Sequence, residues 1–423
     1  MQSLRKFRAQ FLITFLALAS MVILSACGSG SGTTNTGKAP ASQQIYRSPL
    51  TGGDISTFDP AQVTDLASAS AIDMVFTGLV AMNDKLQVTP RLAHDWTHSA
   101  DGLTWTFHLR PNLKFSDGSS LTSADVAYSI DRALSPAIYS ADGISLTYLG
   151  LIKGASDRAN GKISTVIGDG IQTPDDNTVV IHVSQVSGYF LQTLSYPTSY
   201  VVEKSVVTKW GDKWTDHLAD NGGDGGDGPF KVQKYDHNTG ITFVSNAHYE
   251  GSQPQLREVT FPFIKDTETN YKEYQTNQVD NSSVPTADLP IAQKLTGHQF
   301  HKVPLLAINY LGLNYLVKPF DNIKIRQALE LSLNRDVIEQ SIYANQNIPT
   351  NHIVPSGMYG YNPNLTGPAG VNATSGDVNK AKQLFQEGMQ AEGLTLATFP
   401  IIKFTYGAPS TNNEKLVTTA IQM

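Results

Sequence analysis

The spacing of apolar residues changes period repeatedly along the chain. Leu103 to Arg110 (LTWTFHLR) alternates apolar and polar positions with a period of two, the pattern of a half-buried strand. Thr178 to Val183 (TVVIHV), Gly240 to Val244 (GITFV) and Glu258 to Ile264 also read as strands, and Gln44 to Pro49 (QIYRSP) is a short strand candidate. Helical spacing takes over between them. Ala67 to Leu79 follows an Asp59-Pro60 turn with Ala, Ile, Met, Val and Phe at helical intervals. Thr122-Ser123-Ala124-Asp125 supplies an N-cap and an early carboxylate for a helix over Val126 to Leu134. Ile323 to Gln340 predicts one helix carrying Ile325, Leu329, Val337 and Ile338, and Lys380 to Met389 predicts another. Phe399 to Tyr406 (FPIIKFTY) reads as a strand, and Asn413 to Met423 begins a helix whose apolar face has nothing to pack against. Strands and helices thus interleave, with no internal repeat.

The first 27 residues depart from this alternation. Arg5, Lys6 and Arg8 form a basic start, and Phe11 to Leu24 is almost wholly apolar. That run suits a signal segment but falls short of the ~20 residues of a membrane span. Leu24-Ser25-Ala26-Cys27 follows and resembles a bacterial lipobox, in which small residues admit a protease and the cysteine sulfur takes a diacylglycerol group. An ordinary secretory signal with an incidental cysteine is the alternative. Cys27 is the single cysteine of the chain, so no internal disulfide and no thiolate metal site can form. Gly28 to Gln44 is rich in Gly, Ser and Thr and reads as a flexible tether. The expectation is a protein held by a lipid on the extracytoplasmic face of a cell membrane, periplasmic or at the cell surface.

Loss of the three leader cations lowers the 31 Lys+Arg to 28 against 37 Asp+Glu, a net charge of −9. An acidic surface argues against nucleic acid as a partner. About 400 residues exceed what one hydrophobic core organises, so at least two lobes are expected.

Several blocks then carry a resemblance. Leu103 to Val126 (LTWTFHLRPNLKFSDGSSLTSADV) is similar, almost throughout, to a block of the oligopeptide- and dipeptide-binding proteins of ABC importers, the solute-binding proteins of family 5. Gly53 to Pro60 resembles the opening of that family, Val75 to Val80 an early helix end, and Pro90 to Trp96 its "P-x-L-A-x-x-W". Gly226-Asp227-Gly228-Pro229-Phe230 is similar to "GTGPF", and Lys318 to Leu329 to "xPFxDvrvRqAl". The blocks fall in order from Ile45 to about Met389.

The resemblance implies a two-lobed α/β clamshell, of the periplasmic-binding-protein kind. Lobe I would comprise residues 45–78 and 187–284, with a subdomain inserted at 79–186, after a signal segment at 1–26 and a tether at 27–44. Lobe II would run over 285–423 and be incomplete, roughly a hundred residues short of the family's size. The implied role is capture of a peptide by domain closure and delivery to a permease and its ATPase, by a monomer without cofactor or metal. Within the same fold a nickel chelate, an oligosaccharide or an opine-like compound is the alternative ligand. A lipoprotein that presents ligand to a membrane sensor is the alternative role. The family's late Asp-Tyr segment, whose aspartate captures the ligand's α-amino group, is not found here.

By position in the family, five residues are candidates for ligand contact. Tyr310 and Asn314 match a strand that crosses between lobes, and both can stack on or hydrogen-bond to a peptide. A buried strand with both side chains satisfied is the alternative there. Thr64 and Leu66 lie where a family loop meets ligand, or else on an ordinary surface loop. Tyr139, after Ser135-Pro136, lies where the inserted subdomain can reach across the mouth. Asp59 and Pro60 are expected to shape their turn.

Enzyme patterns fail. Gly223 to Gly228 formally fits G-x-G-x-x-G, but Asp224 and Asp227 would repel a pyrophosphate, and the stretch reads as a flexible turn before a strand at Pro229-Phe230. No Gly-x-Ser-x-Gly, His-Glu-x-x-His or Walker pattern occurs. His94 and His98 share an i, i+4 interval with no third ligand nearby.

Overall fold

The computed structural model describes residues 40 and 43–423, except 143, 221–222, 298, 304, 306, 357, 359 and 406–410. The leader, Cys27 and most of the tether therefore lie outside the described residues. The chain divides into two compact units, the first ending at Ser282 and the second beginning at Ser283.

The first unit holds two main sheets. One joins β1 (Ile45–Arg47), β2 (Leu50–Thr51), β9 (Phe230–Asp236), β10 (Gly240–Ser245) and β11 (Glu258–Ile264) in the order β1-β11-β10-β9, with β2 also on β11. β1 and β2 run parallel to β11, while β9, β10 and β11 are antiparallel neighbours. Proline is rare inside a sheet because it cannot donate to a ladder. Pro262 falls in β11 between β1, which stops opposite Thr260, and β2, which starts opposite Phe263, so it interrupts neither of those two ladders. Gly240 opens β10 at a φ of +136°, and a Cβ there would stand 2.3 Å from the Phe261 carbonyl oxygen.

The other sheet is antiparallel, in the order β5 (Ala93–His98), β6 (Thr104–Leu109), β8 (Thr178–His182), β7 (Ile171–Asp175). A hairpin of β3 (Val80–Met82) and β4 (Val88–Pro90) precedes it. Phe107, Leu109, Val179 and Ile181 point inward with Val126 and Ile130 of the helix after β6 and with Leu134 at its C-terminal cap, forming one core. That helix, Ser123–Ala133, starts with the expected capping box: Thr122 N–H donates to Asp125 at 2.8 Å. A second core gathers Phe58, Val63, Ile72, Val75, Phe76, Trp214, Ile241, Phe243 and Val259 around the β1–β11 sheet. Each sheet thus closes its own core within this unit.

The Gly223–Gly228 stretch is packed, contrary to the flexible turn expected of it. The helix Leu66–Val75 leaves the Val75 carbonyl without an intrahelical donor, and Asp227 N and Gly228 N both donate to it, at 3.1 and 2.7 Å. Any Cβ on Gly226 or Gly228 would stand within 2.5 Å of Val75 backbone atoms. Here glycine serves close approach of two backbones.

The second unit is smaller, and its buried core is small. Helices Ile323–Ser332 and Val378–Ala391 pack around Ala328, Leu331, Ala381 and Leu384, and Gly388 lets Ile325 approach closely. Two expectations fail in this unit. The single helix over Ile323 to Gln340 is two, because Leu333 is extended and the Asn334 side chain accepts from Val337 N to start Arg335–Ser341. The strands expected around Asn309–Asn314 and Phe399–Tyr406 are irregular backbone where described. No strand stands beside either among the described residues of this unit, and an extended segment without a neighbour has no ladder to hold it.

Candidate ligand-binding surface

The turn carrying Thr64 and Leu66 is held from below by a buried ion pair. Asp59 accepts from Ala61 N at 3.0 Å, closing the short turn Pro60–Gln62. Both carboxylate oxygens take the Arg132 guanidinium in a fork, with Nη1 to Oδ1 at 2.9 Å, and Trp214 Nε1 donates to Oδ2 at 3.3 Å. Asp59 is buried, so the charge is stable only through this pairing. Arg132 lies on the helix Ser123–Ala133 and Trp214 between residues 211 and 217, so three distant segments converge on one carboxylate. Asp59 shapes its turn, as expected.

Val63 is then fully buried and Thr64 exposed. Asp65 caps the following helix through Ser68 N at 2.8 Å and also accepts from Ser56 Oγ at 2.6 Å. Those hydrogen bonds keep its carboxyl below the ordinary range although burial opposes them. Leu66, the first residue of the helix, is 80% exposed. A large apolar side chain is thus presented to solvent on a locked backbone.

Aromatic side chains stand near this turn. Tyr148 and Tyr196 stack with ring centroids 3.6 Å apart and planes 6° from parallel. Burial, the neighbouring Tyr148 and the charges of Asp65 and Asp73 all push the Tyr196 hydroxyl well above its ordinary range. Tyr200 donates to Asp73 at 2.9 Å. The Asp73 carboxyl is raised by desolvation, against the pull of Tyr200 and Arg91, although the residue as a whole is exposed. Tyr139 is half-buried on Pro136–Asp142, a helix that packs on the Pro60–Gln62 turn.

Thr64, Leu66 and Tyr139 therefore belong to one region of the first unit. Tyr310 and Asn314 belong to the second unit. Tyr310 is 71% exposed, and the Asn314 side chain accepts from Leu316 N at 3.1 Å. Their segment is not the strand that was expected.

Sequence reasoning missed Tyr148, Tyr196, Tyr200 and Asp73. Only the cap Asp65-x-x-Ser68 left a local signal. The stack pairs residues 48 apart, and no spacing rule announces such a pair.

This surface offers stacking, apolar contact and acceptors. Among the described residues no group of three or more His, Cys, Asp or Glu is placed to hold a metal. His94 and His98 lie on β5, where four residues span about 13 Å. His94 Nδ1 instead faces Asp95 at 2.8 Å, and His98 lies against Trp105 with centroids 5.0 Å apart.

The profile of the bacterial extracellular solute-binding proteins, family 5 (middle region), matches residues 87–422. The chain is 27% identical over 400 residues to the oligopeptide-binding protein OppA of Bacillus subtilis, covering 93% of this chain and 71% of that protein. It is 29% identical over 336 residues to the probable deoxycholate-binding periplasmic protein YgiS of Escherichia coli, covering 77% of this chain and 60% of that protein. The crystal structure of the periplasmic oligopeptide-binding protein OppAIV of Borrelia burgdorferi matches with a TM-score of 0.69 at 26% identity, over 81% of this chain and 66% of that one. The chain thus spans 60% to 71% of the lengths of these relatives. With a mixed α/β fold of the two-lobed kind, the chain belongs to the bacterial extracellular solute-binding proteins of family 5, which are binding proteins and not enzymes.

Proposed function

We propose that this chain is the substrate-binding subunit of an ABC importer, anchored by a lipid on Cys27 outside the membrane, and that its ligand is a peptide. The observation that carries the peptide reading is the surface around Leu66. A rigid backbone presents an exposed apolar side chain beside stacked tyrosines and carboxylates, which suits an extended ligand with varied side chains and a charged amino end. On this reading Thr64, Leu66 and Tyr139 are the candidate ligand contacts of the first unit, and Tyr310 and Asn314 are candidates in the second. Family membership and the oligopeptide-binding relatives support it.

A non-peptide ligand is the second reading, favoured by the similarity to a probable deoxycholate-binding protein. Native mass spectrometry of protein released gently from its own cells separates the two. A distribution of short-peptide masses is expected. One bile-acid, sugar or chelate mass would overturn the peptide reading and leave the binding role intact. Labelling with a radioactive fatty acid, lost in Cys27→Ser, tests the anchor.

A further inference from the structure

An open cavity of about 600 Å³ lies on the first unit, none of its lining residues being among those named at the Leu66 surface. One wall is the chain leaving β6, where Asn112 takes a φ of +59° and turns Arg110 and Lys114 toward the same space. The opposite wall is the turn over Ala247–Glu250. Buried Asn246 pins that turn: its Nδ2 donates to the Gly228 carbonyl at 2.9 Å and its Oδ1 accepts from His248 N at 2.9 Å. Arg91 Nη1 donates to the hydroxyl of Tyr249, a lining residue, at 2.6 Å. Arg110 Nε donates to the Arg91 carbonyl at 2.8 Å and lies 2.9 Å from Glu250 Oε2. The cavity is therefore built from mutually braced groups.

Its charge is lopsided. Glu250 is the one carboxylate in the lining and is matched by Arg110. Lys114 is exposed and has no ion-pair partner among the described residues, and the His248 imidazole has no hydrogen-bond partner among them. His94 also lines the cavity. An uncompensated cation in a polar cavity, on a chain of net charge −6, is an arrangement for a small anion.

We propose that this cavity is a second binding site, for an oxyanion or an oxyanion-bearing small molecule, phosphate or carboxylate. Lys114 supplies the charge, and the outer nitrogens of Arg110, with Asn112 and His248, supply polar contacts. The proposal holds whatever the main ligand is.

The test is calorimetric titration of the full chain with inorganic phosphate and, in a parallel arm, acetate, each against chloride at equal ionic strength. Saturable one-to-one binding of one anion is expected, weakened about tenfold in Lys114→Gln. Lys162→Gln, which removes a cation outside the cavity, is expected to bind as the unmodified chain does. Preference for phosphate assigns the site to phosphate, and preference for acetate assigns it to carboxylates. No saturable heat above chloride, or unchanged affinity in Lys114→Gln, would overturn the proposal. Unchanged near-ultraviolet circular dichroism in that variant separates lost binding from lost folding.

Discussion

Asp227 is 2% exposed, and burial raises its carboxyl from 3.8 to about 7. Thr77 resists the rise, donating its N–H to Oδ1 at 2.9 Å and its hydroxyl to Oδ2 at 2.7 Å, while the Glu250 charge adds slightly to it. A carboxyl raised in the folded state stabilises the fold fully below its unfolded value of about 4 and loses that contribution as pH climbs through its folded value. At 1.36 kcal/mol per unit, the whole loss is about 4 kcal/mol, of which about 2–3 kcal/mol falls between pH 5 and pH 8. Asp227→Asn keeps the shape and an acceptor for Thr77 N without the titration. Urea unfolding of both proteins at pH 5, 6, 7 and 8, followed by tryptophan fluorescence, measures the difference. The asparagine variant should gain on the unmodified chain by about 2–3 kcal/mol from pH 5 to pH 8. Parallel pH profiles would mean that Asp227 is already ionised at pH 5 and that Thr77 outweighs desolvation.

Three further expectations rest on the same geometry. Arg132→Ala leaves the Asp59 charge buried without its partner and should cost about 3–5 kcal/mol, read as a lower urea midpoint, with Arg132→Lys recovering only part because the fork is lost. Gly228→Ala should destabilise by about 1–3 kcal/mol, since the new methyl meets the Val75 backbone and neither segment can yield cheaply; thermal melting measures it. Leu66→Ala should leave stability within about 0.5 kcal/mol and weaken ligand binding about tenfold, and equal losses of both in calorimetry would remove Leu66 from the binding surface.

Much of the secondary structure was legible because its determinants are local. β6, β8, β10 and β11 announce themselves by alternation, and each found a neighbour that accepts that alternation. The capping box of Thr122 and Asp125 closes over three residues. Family membership was readable for a related reason, since the blocks that carry it are contiguous stretches such as Leu103 to Val126.

Features that depend on distant partners were not legible. Gly226-Asp227-Gly228 looks like freedom until Val75, some 150 positions earlier, is set against it. The apolar runs around Asn309–Asn314 and Phe399–Tyr406 satisfy strand chemistry along their length, yet strand pairing is a contact between segments and none is made where they are described. Tyr148 and Tyr196 become a pair, and Asp59 becomes a hub for Arg132 and Trp214, only when the fold brings them together. Capping hydrogen bonds and side-chain periodicity act over a few residues and are written in order along the chain. Burial, desolvation and stacking depend on which segments meet, and that order does not carry them.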